Sequence, residues 1–178
     1  MSLSWGTRRF TEVPLQPILL VMPDRPGRPP RLPTVFQKYD PPVYFVTICA
    51  AGRRRLFAND IVHNAFREFA TKAHRERSIA VGRYVLMPDH IHLFVCGPAE
   101  FNLSQWVRML KLALGRKLAE LGKQPGFWQR GFFDHLIRHS ESYAEKWAYV
   151  WQNPVRAGLV AQVEDWPYQG EIVVIDRV

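Results

Sequence analysis

Two apolar runs, SIAVGRYVLM (78–87) and HIHLFVCG (90–97), constrain the fold more than any other part of the chain. Both are rich in the β-branched and aromatic residues that favour strands. Only Pro88 and Asp89 separate them, and proline interrupts regular backbone pairing because it lacks an N–H group. Two strands joined by so short a break are predicted to lie antiparallel in one sheet.

Strand-like and helical patterns alternate along the rest of the chain. VYFVTICA (43–50) and HLI (135–137) are typical of strands, and apolar residues recur at helical spacing over 59–77, 102–122 and 142–158. The resulting order, β-α-β-β-α-β and then a helix, is that of the ferredoxin-like split βαβ arrangement. We therefore predict an α+β fold with a mostly antiparallel sheet, helices on one face and an additional C-terminal helix.

Each predicted helix carries residues that commonly begin or end helices. They are Asn59 or Asp60 before the first helix, Asn102 and Gly122 at the two ends of the second, and a capping box of Ser142 and Glu145 with a final Gly158 for the third.

The ends of the chain differ from its middle. Residues 1–42 hold nine of the fourteen prolines. A stretch such as RPGRPPRLP (25–33) cannot form a helix or a central strand. We predict a Pro/Arg-rich arm over 1–39, a catalytic domain over 40–160, and a C-terminal tail over 161–178 with one short strand.

Composition narrows the classes of function. Lys and Arg number 24 against 16 acidic residues, a net charge of +8, which favours a polyanionic partner. No apolar run approaches the roughly 20 residues of a membrane-spanning helix, and the N-terminus lacks a secretory pattern. Cys49 and Cys96 have no zinc-type spacing, which favours two reduced thiols over a disulfide. We expect a cytoplasmic protein that does not enter a membrane.

Two histidines interrupt the third strand. Side chains two residues apart point to the same face of a strand, so His90 and His92 share a face. Ile91, Leu93 and Val95 then share the opposite face, which we expect to pack on the helices. Two imidazoles on a rigid strand can bind one divalent metal. For an isolated pair, an ordinary polar sheet face is the more common explanation.

The last helix offers further groups for such a site. Tyr149 and Asn153 are four residues apart, so a helix would stack them on one face, beside a core stripe that includes Trp147. The amide oxygen of Asn153 suits a hard or borderline metal ion. Taken singly, each residue has a structural explanation: Tyr149 on the surface, and Asn153 at a helix end before Pro154.

Three motifs together resemble a known family. MPDHIHLFV resembles the His-hydrophobic-His signature of the single-tyrosine HUH transposases, and FWQRGFFDHLIRH and YVWQNPVRAGLV resemble later blocks of the REP-associated tyrosine transposases. The resemblance covers roughly residues 40–160, with the motifs in the family order. Many relatives carry His where this chain has Trp151.

The resemblance implies a metal-dependent endonuclease and strand transferase acting on single-stranded DNA hairpins. Tyr149 would be the nucleophile that forms a 5′-phosphotyrosine, and His90, His92 and Asn153 would bind Mg²⁺ or Mn²⁺. It also favours a monomer over a dimer. We expect basic residues to contact the DNA, and the candidates are Arg53, Arg54, Arg55, Arg108, Lys111, Arg130 and Arg138.

Three alternatives remain open from the residues. Another HUH nuclease, such as a replication initiator or relaxase, would use the same chemistry on different DNA. A non-catalytic binder of single-stranded nucleic acid would need only the aromatic and basic residues. A metal hydrolase using water would need a carboxylate near the histidines, and Asp89 is the candidate.

Overall fold

The computed structural model of the chain describes residues 42–137 and 140–175, and the side chains of all of these except 140–142. The predicted arm at 1–39 and the candidate Arg138 lie outside the described residues, as does the end of the predicted tail. The predicted domain boundaries stay a prediction.

The described elements follow the predicted order. They are β1 (Val43–Cys49), α1 (Asp60–Arg77), β2 (Ala80–Leu86), β3 (His90–Cys96), α2 (Leu103–Glu120), β4 (Phe133–Ile137), α3 (Ser140–Trp151), α4 (Asn153–Arg156) and β5 (Gln169–Glu171). The last strand belongs to the segment after residue 160, for which one short strand was predicted.

The five strands form one sheet in the order β4-β1-β3-β2-β5, and every neighbouring pair is antiparallel. The predicted antiparallel pairing of β2 with β3 is confirmed, and the Met87 N–H donates to the His90 carbonyl across the Pro-Asp connection (2.8 Å). β1 lies beside β3, so that Thr47 is opposite His92 and Cys49 is opposite His90. The α+β, ferredoxin-like prediction is therefore confirmed, with β5 added at one edge.

One face of the sheet packs on α1 and α2. Ile91, Leu93 and Val95 of β3 are fully buried in this core, as predicted from their alternation. The helices contribute apolar stripes that include Phe66 and Leu110, both without exposed surface. Each such side chain stabilises the fold by about 1.5–3 kcal/mol relative to an exposed one.

The opposite face of the sheet packs on α3. Phe94 and Val43 contact Tyr143 and Trp147 there, and Val150 lies in a neighbouring buried cluster. α3 approaches the sheet closely at Gly82, and a side chain there would be crowded, because a Cβ atom would lie 3.1 Å from the Tyr143 hydroxyl. The sheet therefore carries helices on both faces, and the histidine face is the one that α3 partly covers.

The predicted helix starts are confirmed in two cases. The side-chain oxygens of Asn59 and Asn102 accept the backbone N–H groups of Val62 and Gln105 (3.0 and 2.9 Å). The second helix ends near Gly122, whose φ of +70° suits glycine.

The last predicted helix needs two corrections. It begins at Ser140 rather than after Ser142, so the predicted capping box does not mark its start. It also ends at Trp151, and a separate short helix starts at Asn153. Pro154 explains the break, because it has no N–H to donate to the preceding turn and its ring crowds that turn.

Both cysteines are buried thiols not joined by a disulfide, in agreement with the expectation. The β1–β3 register places them at opposite ends of the paired strands. None of the helices found in residues 42–137 and 140–175 is long and apolar enough to cross a membrane.

Candidate metal and nucleophile site

His90 and His92 lie side by side on β3, as the alternation predicts. Their ring centroids are 4.6 Å apart and the rings are nearly perpendicular, at 81°. Both residues are half-buried. A rigid central strand thus presents two imidazoles close enough for one ion to contact both.

The His90 ring is held by a carboxylate. Its Nδ1 lies 2.6 Å from Oδ1 of Asp89, and Oδ2 of Asp89 forms an ion pair with Nε of Arg53 (3.2 Å). Burial raises the pKa of Asp89, but the hydrogen bond from His90 and the charges of His90 and Arg53 outweigh it and lower that pKa overall. An ionised carboxylate can only accept, so Nδ1 of His90 carries the proton.

The His92 ring is held by a hydroxyl and a stacked aromatic ring. Nδ1 lies 2.8 Å from Oγ1 of Thr47, and the Phe45 ring is stacked at a centroid distance of 5.4 Å. Burial, followed by the neighbouring charge of His90, lowers the pKa of His92 well below its usual value. His92 is therefore neutral at physiological pH, which is the form that binds metals.

These contacts decide which nitrogens are left for a metal. Both Nδ1 atoms are engaged, so Nε2 is the coordinating atom that each ring can offer. A metal-binding histidine commonly donates its other N–H to a carboxylate or another oxygen, which fixes the ring and raises its basicity. Asp89 and Thr47 provide that arrangement, and the donor set fits a divalent cation.

A further protein ligand must be of another type. Across residues 42–137 and 140–175, His, Cys, Asp and Glu side chains form no group of three or more that could hold a metal. An amide oxygen, such as that of Asn153, is another donor that a hard or borderline divalent ion accepts. Asn153 is half-buried at the start of α4.

Tyr149 lies in the last turn of α3 and is 55% exposed, so its hydroxyl is accessible to a large substrate. The single helix predicted to carry both Tyr149 and Asn153 is divided, because α3 ends at Trp151 and α4 begins at Asn153; Gln152 between them keeps α-region dihedrals. Arg156 connects the two. Its guanidinium lies 4.0 Å from the Tyr149 ring centroid, and its Nη2 donates to Oδ1 of Asn153.

Some of the predicted DNA-contacting residues contact other groups of the protein, and the others are exposed. Arg54 donates to the carbonyls of Gln124 and Gly126, and Lys111 donates to those of Gln129 and Gly131. These two therefore brace the loop between α2 and β4. Arg53 pairs with Asp89, while Arg55, Arg108 and Arg130 are exposed.

A groove of about 590 Å³ runs between α2 and this loop. Arg108, Lys111 and Arg116 line it together with the aromatic residues Phe127, Trp128 and Phe132. The loop is tied to the site, because the Gln129 N–H donates to the carbonyl of Cys49, the residue paired with His90 (2.9 Å).

Four residues that contribute to the histidine site or to the groove beside α2 were not among the site residues predicted from the sequence, namely Thr47, Phe45, Arg116 and Arg156. Arg116 had a signal, since it lies eight residues after Arg108 and so on the same side of α2. Thr47 and Phe45 depend on the β1–β3 register, which no local pattern gives.

Comparison with known proteins shows the family to which the chain is similar. The family model described as "Transposase IS200 like" matches residues 42–153. A Haemophilus influenzae protein with the provisional name REP-associated tyrosine transposase is 31% identical over 137 residues, covering 71% of this chain and 77% of that protein. The REP-associated tyrosine transposase of Escherichia coli K12 is 29% identical over 131 residues, covering 70% and 73%.

The fold has a solved counterpart. The structure of a REP-associated tyrosine transposase bound to a REP hairpin matches with a TM-score of 0.58 and 22% identity, covering 77% of this chain and 92% of that one. This likeness supports the same arrangement of sheet and helices.

Proposed function

This chain belongs to the IS200-like transposases and, within them, to the REP-associated tyrosine transposases, and from that premise we propose a specific chemistry for it. In this proposal the protein is a metal-dependent endonuclease and strand transferase that cleaves single-stranded, hairpin-flanked DNA through a covalent tyrosine intermediate. The observation that carries the proposal is the pair of adjacent imidazoles whose Nδ1 atoms are held by Asp89 and Thr47.

Tyr149 is the nucleophile in this proposal. Its hydroxyl oxygen attacks the scissile phosphorus and its proton passes to solvent or a nearby base. The bond from phosphorus to the 3′ oxygen breaks, that oxygen takes up a proton, and the products are a 5′-phosphotyrosine and a free 3′-OH. Attack by a 3′-OH on the phosphotyrosine reverses these steps and rejoins DNA without ATP.

His90, His92 and Asn153 would hold Mg²⁺ or Mn²⁺ through two imidazole nitrogens and one amide oxygen. When bound, such an ion neutralises phosphate charge and stabilises the charge that develops during attack. The Nδ1 contacts support this role, because they fix the orientation of both rings and leave each Nε2 atom available to an ion. The exposure of Tyr149 supports access by a polymeric substrate.

Hairpin DNA is the substrate that the comparisons favour. The solved relative is bound to a REP hairpin, and this chain carries an excess of basic residues with exposed Arg55, Arg108 and Arg130. The groove beside α2 adds aromatic rings on which unpaired bases could stack. Such a surface suits single strands and hairpin ends better than blunt duplex.

The test incubates the full chain with end-labelled hairpins taken from DNA flanking its gene, with Mn²⁺ or with EDTA. A labelled protein band that survives denaturation and requires Mn²⁺ supports the proposal. Blunt duplex of the same sequence is the control and should give little adduct. Hairpin binding without any adduct would instead indicate a non-catalytic nucleic-acid binder.

A further inference from the structure

Arg156 makes three contacts that converge on the candidate site. Its Nη2 donates to the backbone carbonyl of Tyr149 (2.5 Å) and also to Oδ1 of Asn153. One nitrogen with two N–H groups can serve both acceptors. The guanidinium carbon lies 4.0 Å from the centroid of the Tyr149 ring, in a cation–π arrangement.

These contacts cross the break between α3 and α4. A continuous helix would fix residues four apart through its own backbone hydrogen bonds. Here α3 ends at Trp151 and Pro154 has no N–H to donate to the preceding turn, so the ladder of backbone hydrogen bonds is interrupted between Tyr149 and Asn153, although Gln152 keeps α-region dihedrals. Arg156 lies on α4 and reaches back to α3, so its side chain connects the two groups directly.

We propose that Arg156 is a positioning residue that holds Tyr149 against Asn153 and competes with the divalent cation for the Asn153 amide oxygen. The inference rests on the proposed function, since it presupposes that Asn153 is a metal ligand and Tyr149 the nucleophile.

The competition follows from charge. A guanidinium hydrogen-bonded to Oδ1 of Asn153 places a positive charge beside the oxygen that a cation would bind, and like charges repel. The repulsion would act directly at Oδ1 of Asn153, the oxygen that Arg156 already contacts.

Two effects of opposite sign are therefore expected for Arg156→Ala. Metal binding should become tighter, by about fivefold, because a competing cation is removed. Cleavage at saturating metal should become slower, by about 10- to 100-fold, because the nucleophile is no longer held in place. A residue that only stabilises the fold would weaken both together.

The experiment measures two quantities on the full chain. Mn²⁺ affinity is obtained without DNA from the electron paramagnetic resonance signal of free Mn²⁺, and the adduct rate is obtained in single-turnover reactions at saturating Mn²⁺. Arg156→Lys is the second variant: it keeps the charge but cannot reproduce the fork of contacts. It should keep nearly wild-type metal affinity and still cleave slowly.

Arg83→Ala is the matched control. Arg83 also places a guanidinium over aromatic rings of α3, at 5.5 Å from Trp147 and 5.8 Å from Tyr143, but contacts neither Tyr149 nor Asn153. It should leave both quantities near wild type, and melting temperatures of all variants identify any that are unfolded.

Unchanged or weaker Mn²⁺ affinity in Arg156→Ala would overturn the competition, and an unchanged adduct rate would overturn the positioning role. Failure of the proposed function looks different: the wild-type protein would then bind no Mn²⁺, or would bind it equally well after His90→Ala. In that case the site itself is wrong, whatever Arg156 does.

Discussion

The hydroxyl oxygen of Thr47 lies 2.8 Å from Nδ1 of His92, on the strand directly beside it. A metal bound at Nε2 would leave the proton on Nδ1, which would donate a hydrogen bond to Oγ1 of Thr47, so the hydroxyl would fix both the orientation and the tautomer of the ring. Thr47→Val keeps the shape but removes the acceptor. We expect Mn²⁺ affinity to fall by about 10- to 100-fold, as measured by titration without DNA.

Thr47→Ser is the control for that prediction, because it retains the hydroxyl and should stay close to wild type. Equal Mn²⁺ affinity in the valine and serine variants would mean that Thr47 does not support the metal site.

The proposed ligand role of Asn153 can be tested by measuring how much Mn²⁺ the protein needs for cleavage. Asn153→Ala should raise the Mn²⁺ concentration needed for half-maximal cleavage, while excess Mn²⁺ partly restores the rate because Tyr149 remains. His90→Ala should be more severe, since it removes an imidazole from a site with few ligands. Gln152→Ala is the neighbouring control, because Gln152 is exposed and caps no helix with its side chain. Coincident curves for Asn153→Ala and wild type would refute the ligand role.

The groove beside α2 predicts a change in salt dependence. Arg108 is exposed at its edge, and each phosphate contact on single-stranded DNA contributes about 0.7 to the slope of log affinity against log salt. Arg108→Ala should lower the slope by about that amount for hairpin DNA. Arg75→Ala removes an exposed arginine from α1 that pairs with Glu76, and should not change the slope. Similar slopes for both variants would place the DNA elsewhere.

The burial of Lys111 leads us to expect that the free energy of unfolding depends on pH. Burial lowers its pKa from the usual 10.5 to about 8, so the unfolded chain binds more protons than the folded chain between those values. The cost of the buried charge is fully present below about pH 8 and is relieved as the pH rises towards 10.5. Relative to Lys111→Met, the wild type should therefore gain stability from pH 7.5 to pH 10. The measurement is the free energy of unfolding of both proteins, obtained from urea titrations at several pH values across that range.

The difference between the two proteins at each pH removes the contribution of other titrating groups. A constant difference across the range would show that Lys111 keeps an ordinary pKa in the folded chain.

The sheet was predictable because its signals are local. Alternation around His90 and His92, the Pro-Asp break and the helical spacing in α1 and α2 each report on neighbouring residues, and the order of elements then restricts the topology. The paired histidines could be identified in the same way. The break after Trp151 also had a local signal, Pro154, which the continuing helical pattern outweighed in the prediction.

The supporting contacts were not predictable because they join distant parts of the chain. Thr47 reaches His92 only through the register of β1 on β3. Arg54 and Lys111 have the charge of phosphate-binding residues, yet the irregular 124–131 loop supplies carbonyls that need donors, and both side chains meet that need. Their predicted DNA contacts remain to be tested.

Tyr149→Phe tests the central claim most directly, because it removes one hydroxyl from an exposed ring and leaves the Arg156 contact with that ring possible. The measurement is the yield of covalent protein–DNA adduct on a labelled hairpin with Mn²⁺, beside hairpin affinity and the half-buried control Tyr143→Phe. We predict no adduct from Tyr149→Phe with nearly unchanged DNA binding, and adduct formation by Tyr143→Phe. Adduct formation by the Tyr149→Phe protein would contradict the account.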